Sequence, residues 1–313
     1  MSPAQPDFDP SVDIGRGLVL ANPVGVASGT FGFGFEAEAL AGIEHLGVIF
    51  SKGTTLLPRE GNPPPRIAET TAGMLNSIGL QNPGVEHVAT EYAPRWAGWP
   101  VPVLVNVAGA NIDEYLRVVE RLDGVKGVAG VELNISCPNI AHGLDFSTDP
   151  RAAARCAAAV RGVTRLPLVV KLSPNAADIA EIARAVEDAG ADAVSAVNTY
   201  VGMKVSLRDR RPVLPGAGTG GLSGPAIKPL ALAAVAKVRR AVRIPVFGIG
   251  GIASAADALE FMVAGADAVQ VGTANFNNPK ASSEVVEGCL AYAREHRLHR
   301  WSDLRWSGLE SPG

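Results

Sequence analysis

Cysteine is scarce: Cys137, Cys156 and Cys289 are too few and too scattered for a disulfide framework, a four-cysteine zinc site or a ferredoxin-type cluster. A reducing compartment, the cytoplasm, is the expectation. Aromatic residues make up only 5%, so the core must be built mainly from Ala, Val, Leu and Ile. Neither charge sign dominates, with 28 Lys+Arg against 31 Asp+Glu, which leaves no basis for a nucleic-acid surface or a polybasic membrane patch. No apolar run reaches the roughly 18 residues that span a bilayer. The opening MSPAQPDFDPSVDIG lacks the basic-then-apolar order of a secretory signal. The five histidines form no ligand array; His296 and His299, in AREHRLHRW, read as a solvated face. Carboxylates are missing from most strand tips, which disfavours a two-carboxylate glycosidase or a magnesium-dependent enolase-type barrel.

What is present is a globular chain of 313 residues, 47% hydrophobic and 19% charged, with 35 glycines and 23 prolines that point to many tight connections. The length suits two or three domains of about 100–200 residues, or one large α/β barrel. Short β-branched runs recur at 24–29, 48–53, 101–107, 130–136, 168–173, 193–199, 245–251 and 268–274. Nearly all are apolar and then end in Gly, Ser, Asn, Lys or Thr, as a strand buried on both faces reads when its C-terminal tip opens onto a site. Helical stretches at 112–122, 178–190, 226–242 and 255–265 alternate with them. Eight βα units in this length predict an α/β fold, a TIM (β/α)8 barrel, rather than two Rossmann halves. AGADAV, at 189–194 and again at 264–269, predicts helix C-caps at Gly190 and Gly265. Segments 54–84 and 200–221 exceed an ordinary βα loop of about 2–6 residues and are expected as inserted loops over the C-terminal mouth. An N-terminal β-hairpin around 10–22 is expected as the floor. Residues 1–313 read as a single domain, with the barrel at about 23–295 and a C-terminal tail at 296–313.

The run Asn134-Ile135-Ser136-Cys137-Pro138-Asn139 sets a thiol on a loop over the mouth, where it can act as nucleophile or general base. A small core cysteine is the alternative reading. Cys156 and Cys289, on helical stretches, read as core. Gly248-Ile249-Gly250-Gly251 and Gly272-Thr273 end the seventh and eighth strands, the loops through which TIM barrels commonly bind phosphate with backbone N–H groups and a helix N-terminus; glycines also serve as plain turns. Lys52 and Lys171 end strands, which calls for an anion or a catalytic role unless they snorkel to water. Asn76, Asn106, Asn134, Asn139 and Asn198 suit a planar ligand rich in imide or urea groups, or form turns singly. These residues alone leave open a phosphate-binding barrel without redox chemistry.

The segments ANPVGVASGTFGFGFE, SKGTT, NSIGLQNPG, VELNISCPN, VVKLSPN, AVNT, GGLSGPAIKP, FGIGGI and VQVGTANF, in this order, resemble class 1 dihydroorotate dehydrogenases across roughly residues 10–290. FGFG at 31–34 and GGLSGPAIKP at 220–229 are similar to the class 1B catalytic subunit. The resemblance implies a TIM barrel that carries FMN and oxidises dihydroorotate to orotate in pyrimidine (UMP) biosynthesis. It also implies a partner, an electron-transfer subunit with FAD and a 2Fe-2S cluster that passes electrons to NAD, around a homodimer core of a heterotetramer. No nucleic-acid or membrane partner is implied. A fumarate-reducing class 1A enzyme is the alternative. Class 2 enzymes use serine as base and carry a membrane-associating extension; this chain has Cys137 at that position, and no extension is expected. SCPN, where dihydropyrimidine dehydrogenases read SCPH, favours orotate over uracil. Residue by residue, the resemblance implies Cys137 as the base and FMN contacts from Ser28, Lys52, Gly53, Asn106, Asn134, Lys171, Val197, Gly224, Gly250, Gly251, Gly272 and Thr273. It implies substrate contacts from Lys52, Asn76, Ser77, Ile78, Gly79, Leu80, Asn134, Asn198 and Thr199. Ile78 stands where Met is frequent, a change of packing rather than chemistry.

Overall fold

Alternation along eight short strands builds the barrel. The computed structural model of the chain describes residues 8–136, 146–215 and 218–309. The strands β1 (Val24–Val26), β2 (Val48–Phe50), β3 (Val103–Val107), β4 (Gly130–Asn134), β5 (Leu168–Leu172), β6 (Ala193–Ala196), β7 (Val246–Ile249) and β8 (Ala268–Val271) close on themselves with parallel pairing throughout. Successive side chains face opposite sides of a strand. Thus Val103, Val105 and Val107 pack outward, while Leu104 joins Val48, Phe50, Val169 and Phe247 in the barrel interior. Most runs read from sequence overshoot these strands at the C-terminal end, because the tips leave the ladder to line the mouth.

The principal helices are α1 (Ile112–Leu122), α2 (Pro150–Val163), α3 (Ile179–Asp188), α4 (Lys228–Ala241), α5 (Ala255–Val263) and α6 (Ala281–Glu295). Asn111, Asp149, Asp178 and Ser254 cap the N-termini of α1, α2, α3 and α5 with side-chain oxygens. The sequence places the start of α4 at 226; a 3-10 turn at Pro225–Ile227 takes its place, and Pro229 then occupies the first helical turn. Among the described residues no helix is long and apolar enough to cross a membrane.

The hairpin Val12–Gly15 and Leu18–Leu20 plugs the barrel's bottom, sending Ile14, Leu18 and Leu20 against Phe50 and Phe247, whose rings meet edge-to-face at 5.2 Å. The two inserted segments are not simply loops. Ile67–Thr70, Gly73–Asn76, Tyr200–Met203 and Thr219–Ser223 form an antiparallel sheet across the mouth, closed over Ala68, Leu75 and Leu214. Its pairing joins segments nearly 150 residues apart (Ser223 opposite Met74), and one strand is glycine-rich because bulk is excluded: a Cβ on Gly220 would lie 2.6 Å from the Asn76 carbonyl oxygen.

The AGADAV echo extends into tertiary structure. Gly190 and Gly265 have φ of +94° and +105°, and each closes a Schellman pair, Ala191 N–H to the Val186 carbonyl and Ala266 N–H to the Phe261 carbonyl. Asp192 then accepts from Leu168 N–H, Arg161 and Arg16, while Asp267 accepts from Val246 N–H, Arg239 and Arg305. The same carboxylate-and-two-arginine clamp thus holds two strand entries. The tail packs on the barrel bottom through Arg305 and through Trp301, whose indole N–H donates to the Pro10 carbonyl. Arg239 and Asp267 are mostly buried, so Asp267→Ala is expected to lower unfolding stability by about 3 kcal/mol, the scale of a broken buried ion pair. Urea unfolding measures this, and a loss below about 1 kcal/mol would mean that the arginines simply find water.

Candidate active site

The barrel interior changes character with height. Above the apolar floor, Asn106, Glu132, Lys171, Ser195 and Gln270 form a buried polar layer on β3, β4, β5, β6 and β8. Glu132 Oε2 accepts from Asn106 Nδ2 at 2.6 Å and lies 3.7 Å from Lys171 Nζ; Oε1 accepts from Ser195 Oγ at 2.7 Å and from Gln270 Nε2 at 3.1 Å. Above this layer, Asn134 at the tip of β4 accepts from Asn198 Nδ2 through Oδ1 at 3.1 Å. Its carbonyl accepts from the Tyr115 hydroxyl at 2.6 Å, and Asn198 Oδ1 accepts the Thr199 N–H. Asn76 reaches the same edge from the sheet, donating to the Gly221 carbonyl at 3.2 Å; a Cβ on Gly221 would collide with Thr199 Oγ1. Asn76, Asn134, Asn198 and Thr199 therefore converge.

Lys52 and Gly53 follow β2, and Gly53 faces Asn106 and Leu80: a Cβ on it would lie 3.2 Å from Asn106 Oδ1 and 3.4 Å from Leu80 Cδ2. Partial burial pulls the Lys52 ammonium below the ordinary lysine range; Glu36 opposes this and Arg66 adds to it. Segment 77–80 is clasped by Asn62, whose side chain donates to the Ser77 carbonyl and hydroxyl. The Ser77 hydroxyl is therefore already engaged, while Gly79 lies exposed and Ile78 half-buried. Ser28 sits half-buried beyond the tip of β1, and Val197 is buried beyond β6. Cys137 and Asn139 lie outside the described residues. Cys156 and Cys289 are buried, and burial pushes both thiols up to about 12.

Across the barrel, the glycine tips of β7 and β8 are joined to the sheet: Thr273 Oγ1 donates to Ser223 Oγ at 2.8 Å, and Gly251 lies against the Gly224 carbonyl. Among the described residues, the N–H groups of Gly250, Gly251, Gly272 and Thr273 have no acceptor. At the start of α5, Asp257 Oδ2 accepts the N–H groups of Ala253 and Ser254, and Ser254 Oγ accepts that of Asp257. The helix after β8, Ala274–Asn277, is a single turn. The four acceptor-free loop amides are the groups an anion here would meet.

A match to the dihydroorotate dehydrogenase family model spans residues 15–292. The chain belongs to this family. It is 53% identical to the catalytic subunit of dihydroorotate dehydrogenase B (NAD(+)) from Pelobacter propionicus, over 92% of this chain and 95% of the relative. It is 53% identical to that from Desulforamulus reducens (94% and 96%) and 54% identical to that from Geobacter metallireducens (89% and 91%). Sequence reasoning missed Glu132, Ser195 and Gln270. Their signal was parity: each lies at an inward position within an otherwise apolar strand, and Glu132 lies two residues before Asn134.

Proposed function

We propose that this chain is the catalytic subunit of a class 1B dihydroorotate dehydrogenase, oxidising dihydroorotate to orotate with FMN and delivering electrons to NAD through a partner subunit that carries FAD and a 2Fe-2S cluster. The observation that carries the reading is the layout of the mouth, with converging amide side chains and two lysines on one side and four acceptor-free backbone N–H groups on the other. FMN fits this donor set. A phosphate takes N–H groups, and the buried oxygens Asn106 Oδ1 and Gln270 Oε1, without partners among the described residues, suit a ring N–H. Gly250, Gly251, Gly272, Thr273 and Gly224 would seat the phosphate. Ser28, Lys52, Gly53, Asn106, Asn134, Lys171 and Val197 would flank the ring. When bound, FMN supplies the hydride acceptor.

Asn76, Asn134, Asn198 and Thr199, with the 77–80 segment, hold the pyrimidine's alternating N–H and C=O edge. Lys52 meets the substrate carboxylate, and Lys171 places positive charge where negative charge accumulates. Cys137 removes the proton from C5 of dihydroorotate. Its loop is anchored just upstream, where Asn134 Oδ1 accepts the Ser136 N–H. The same reading takes the subunit to form a homodimer core within a heterotetramer.

Orotate formation from dihydroorotate with an artificial dye as acceptor tests the activity. Gly272→Val tests the cofactor seat: φ at this glycine is not positive and a Cβ there would meet Ala27 and Thr30 only at ordinary contact distances of 3.5 and 3.7 Å, so the variant should fold yet be isolated largely without FMN. Gly250 is a poorer probe, since its φ of +133° and a 2.6 Å approach to Ala231 would strain the fold itself. Full FMN occupancy in folded Gly272→Val would move the phosphate elsewhere.

A further inference from the structure

Glu132 is fully buried inside the barrel, yet neither proton removal nor substrate binding uses it. A carboxylate in such a place is costly unless charges and hydrogen bonds surround it. Here side chains from four other strands converge on it. Their donors fix more than the carboxylate. Because the amide N–H groups of Asn106 and Gln270 turn toward Glu132, both amide oxygens are left facing away from it without a partner. Among the described residues, Glu132 is also the carboxylate within ion-pair distance of Lys171. Its 3.7 Å separation is an ionic contact rather than a hydrogen bond, which leaves the ammonium hydrogens free for a ligand above.

We propose that Glu132 is a positioning residue that fixes Lys171 and the Asn106 and Gln270 oxygens beneath the flavin, and that its negative charge holds down the reduction potential of that flavin. The proposal rests on FMN lying over the strand tips at Lys171. A fixed anion on the far side of Lys171 cancels part of the lysine's positive field. Removing that charge leaves Lys171 uncompensated and favours the electron-rich reduced ring, an effect strengthened by the low dielectric of the barrel interior.

The test is the midpoint potential of bound FMN, measured by equilibration with a reference dye, in wild type, Glu132→Gln, Glu132→Asp and Ser195→Ala. Glu132→Gln keeps the shape and loses the charge, and should move the potential upward by at least tenfold in the reduction equilibrium, about 30 mV for a two-electron couple. Glu132→Asp, which keeps the charge, should return it toward wild type; a purely steric role for Glu132 would make the shorter side chain the more disruptive. Ser195→Ala removes a hydroxyl dipole that partly neutralises the carboxylate, and should move the potential downward even if Glu132→Gln does not fold. Potentials unchanged in Glu132→Gln, or in Ser195→Ala where Glu132→Gln fails to fold, overturn the proposal. If wild type holds no flavin, the functional reading falls and the proposal with it. If wild type holds a flavin that dihydroorotate reduces while these variants match its potential, the proposal alone falls.

Discussion

Cys137→Ala is expected to retain its yellow colour and its affinity for orotate while flavin reduction by dihydroorotate slows by roughly 10²-fold or more, the usual scale for a lost general base. The expectation follows from the loop's surroundings. Asn134 is held by Tyr115 through its carbonyl and by Asn198 through its amide, so the chain leaves β4 in a fixed direction three residues before the thiol. Neither other cysteine can substitute, because Cys156 and Cys289 are buried and their thiols stand at about 12. An ordinary thiol titrates near 8.5. If the Cys137 thiolate is the base, as proposed, the reduction rate should rise with pH toward that region, and the rise should vanish in Cys137→Ala. A near wild-type rate in stopped-flow reduction, or an unchanged pH profile, would remove Cys137 from the mechanism.

The isolated chain should reduce artificial dyes but NAD barely above background, with NAD reduction restored by the subunit that carries FAD and the iron-sulfur cluster. Among the described residues there is one barrel, and its mouth already has to admit both FMN and dihydroorotate beneath the sheet. A 2Fe-2S cluster needs four ligands, usually thiolates, and two of this chain's three cysteines are sealed in helix packing. On the class 1B reading, electrons bound for NAD should cross to centres on another protein. Steady-state assays with NAD, with fumarate and with a dye, each with and without that subunit, decide the matter. Fast NAD reduction by the chain alone would refute the class 1B reading, and efficient fumarate use without a partner would point to class 1A.

The barrel was legible because a long series of apolar runs with polar tips, alternating with helices, fits few architectures, and the AGADAV repeat correctly placed two left-handed glycines. Parity inside those runs carried further information. Glu132, Ser195 and Gln270 sit among valine, leucine and alanine, so a reading of the runs as uniformly apolar passes over the inward polar layer. The sheet over the mouth was illegible for a different reason: its strands pair across great sequence distance, and Thr219–Ser223 is rich in glycine, a poor strand former chosen here for close approach. Likewise the clamps at Asp192 and Asp267 depend on arginines from distant elements, which no local pattern reveals. The capping box of Ser254 and Asp257 at the start of α5, by contrast, was readable in the sequence.

Anaerobic addition of equimolar dihydroorotate to the protein as purified tests the central claim most directly, with the visible flavin absorbance as the signal. The account predicts a yellow protein whose colour is bleached by dihydroorotate, with orotate appearing in step. A colourless protein that takes up no FMN, or a yellow one that dihydroorotate leaves unbleached, would contradict it.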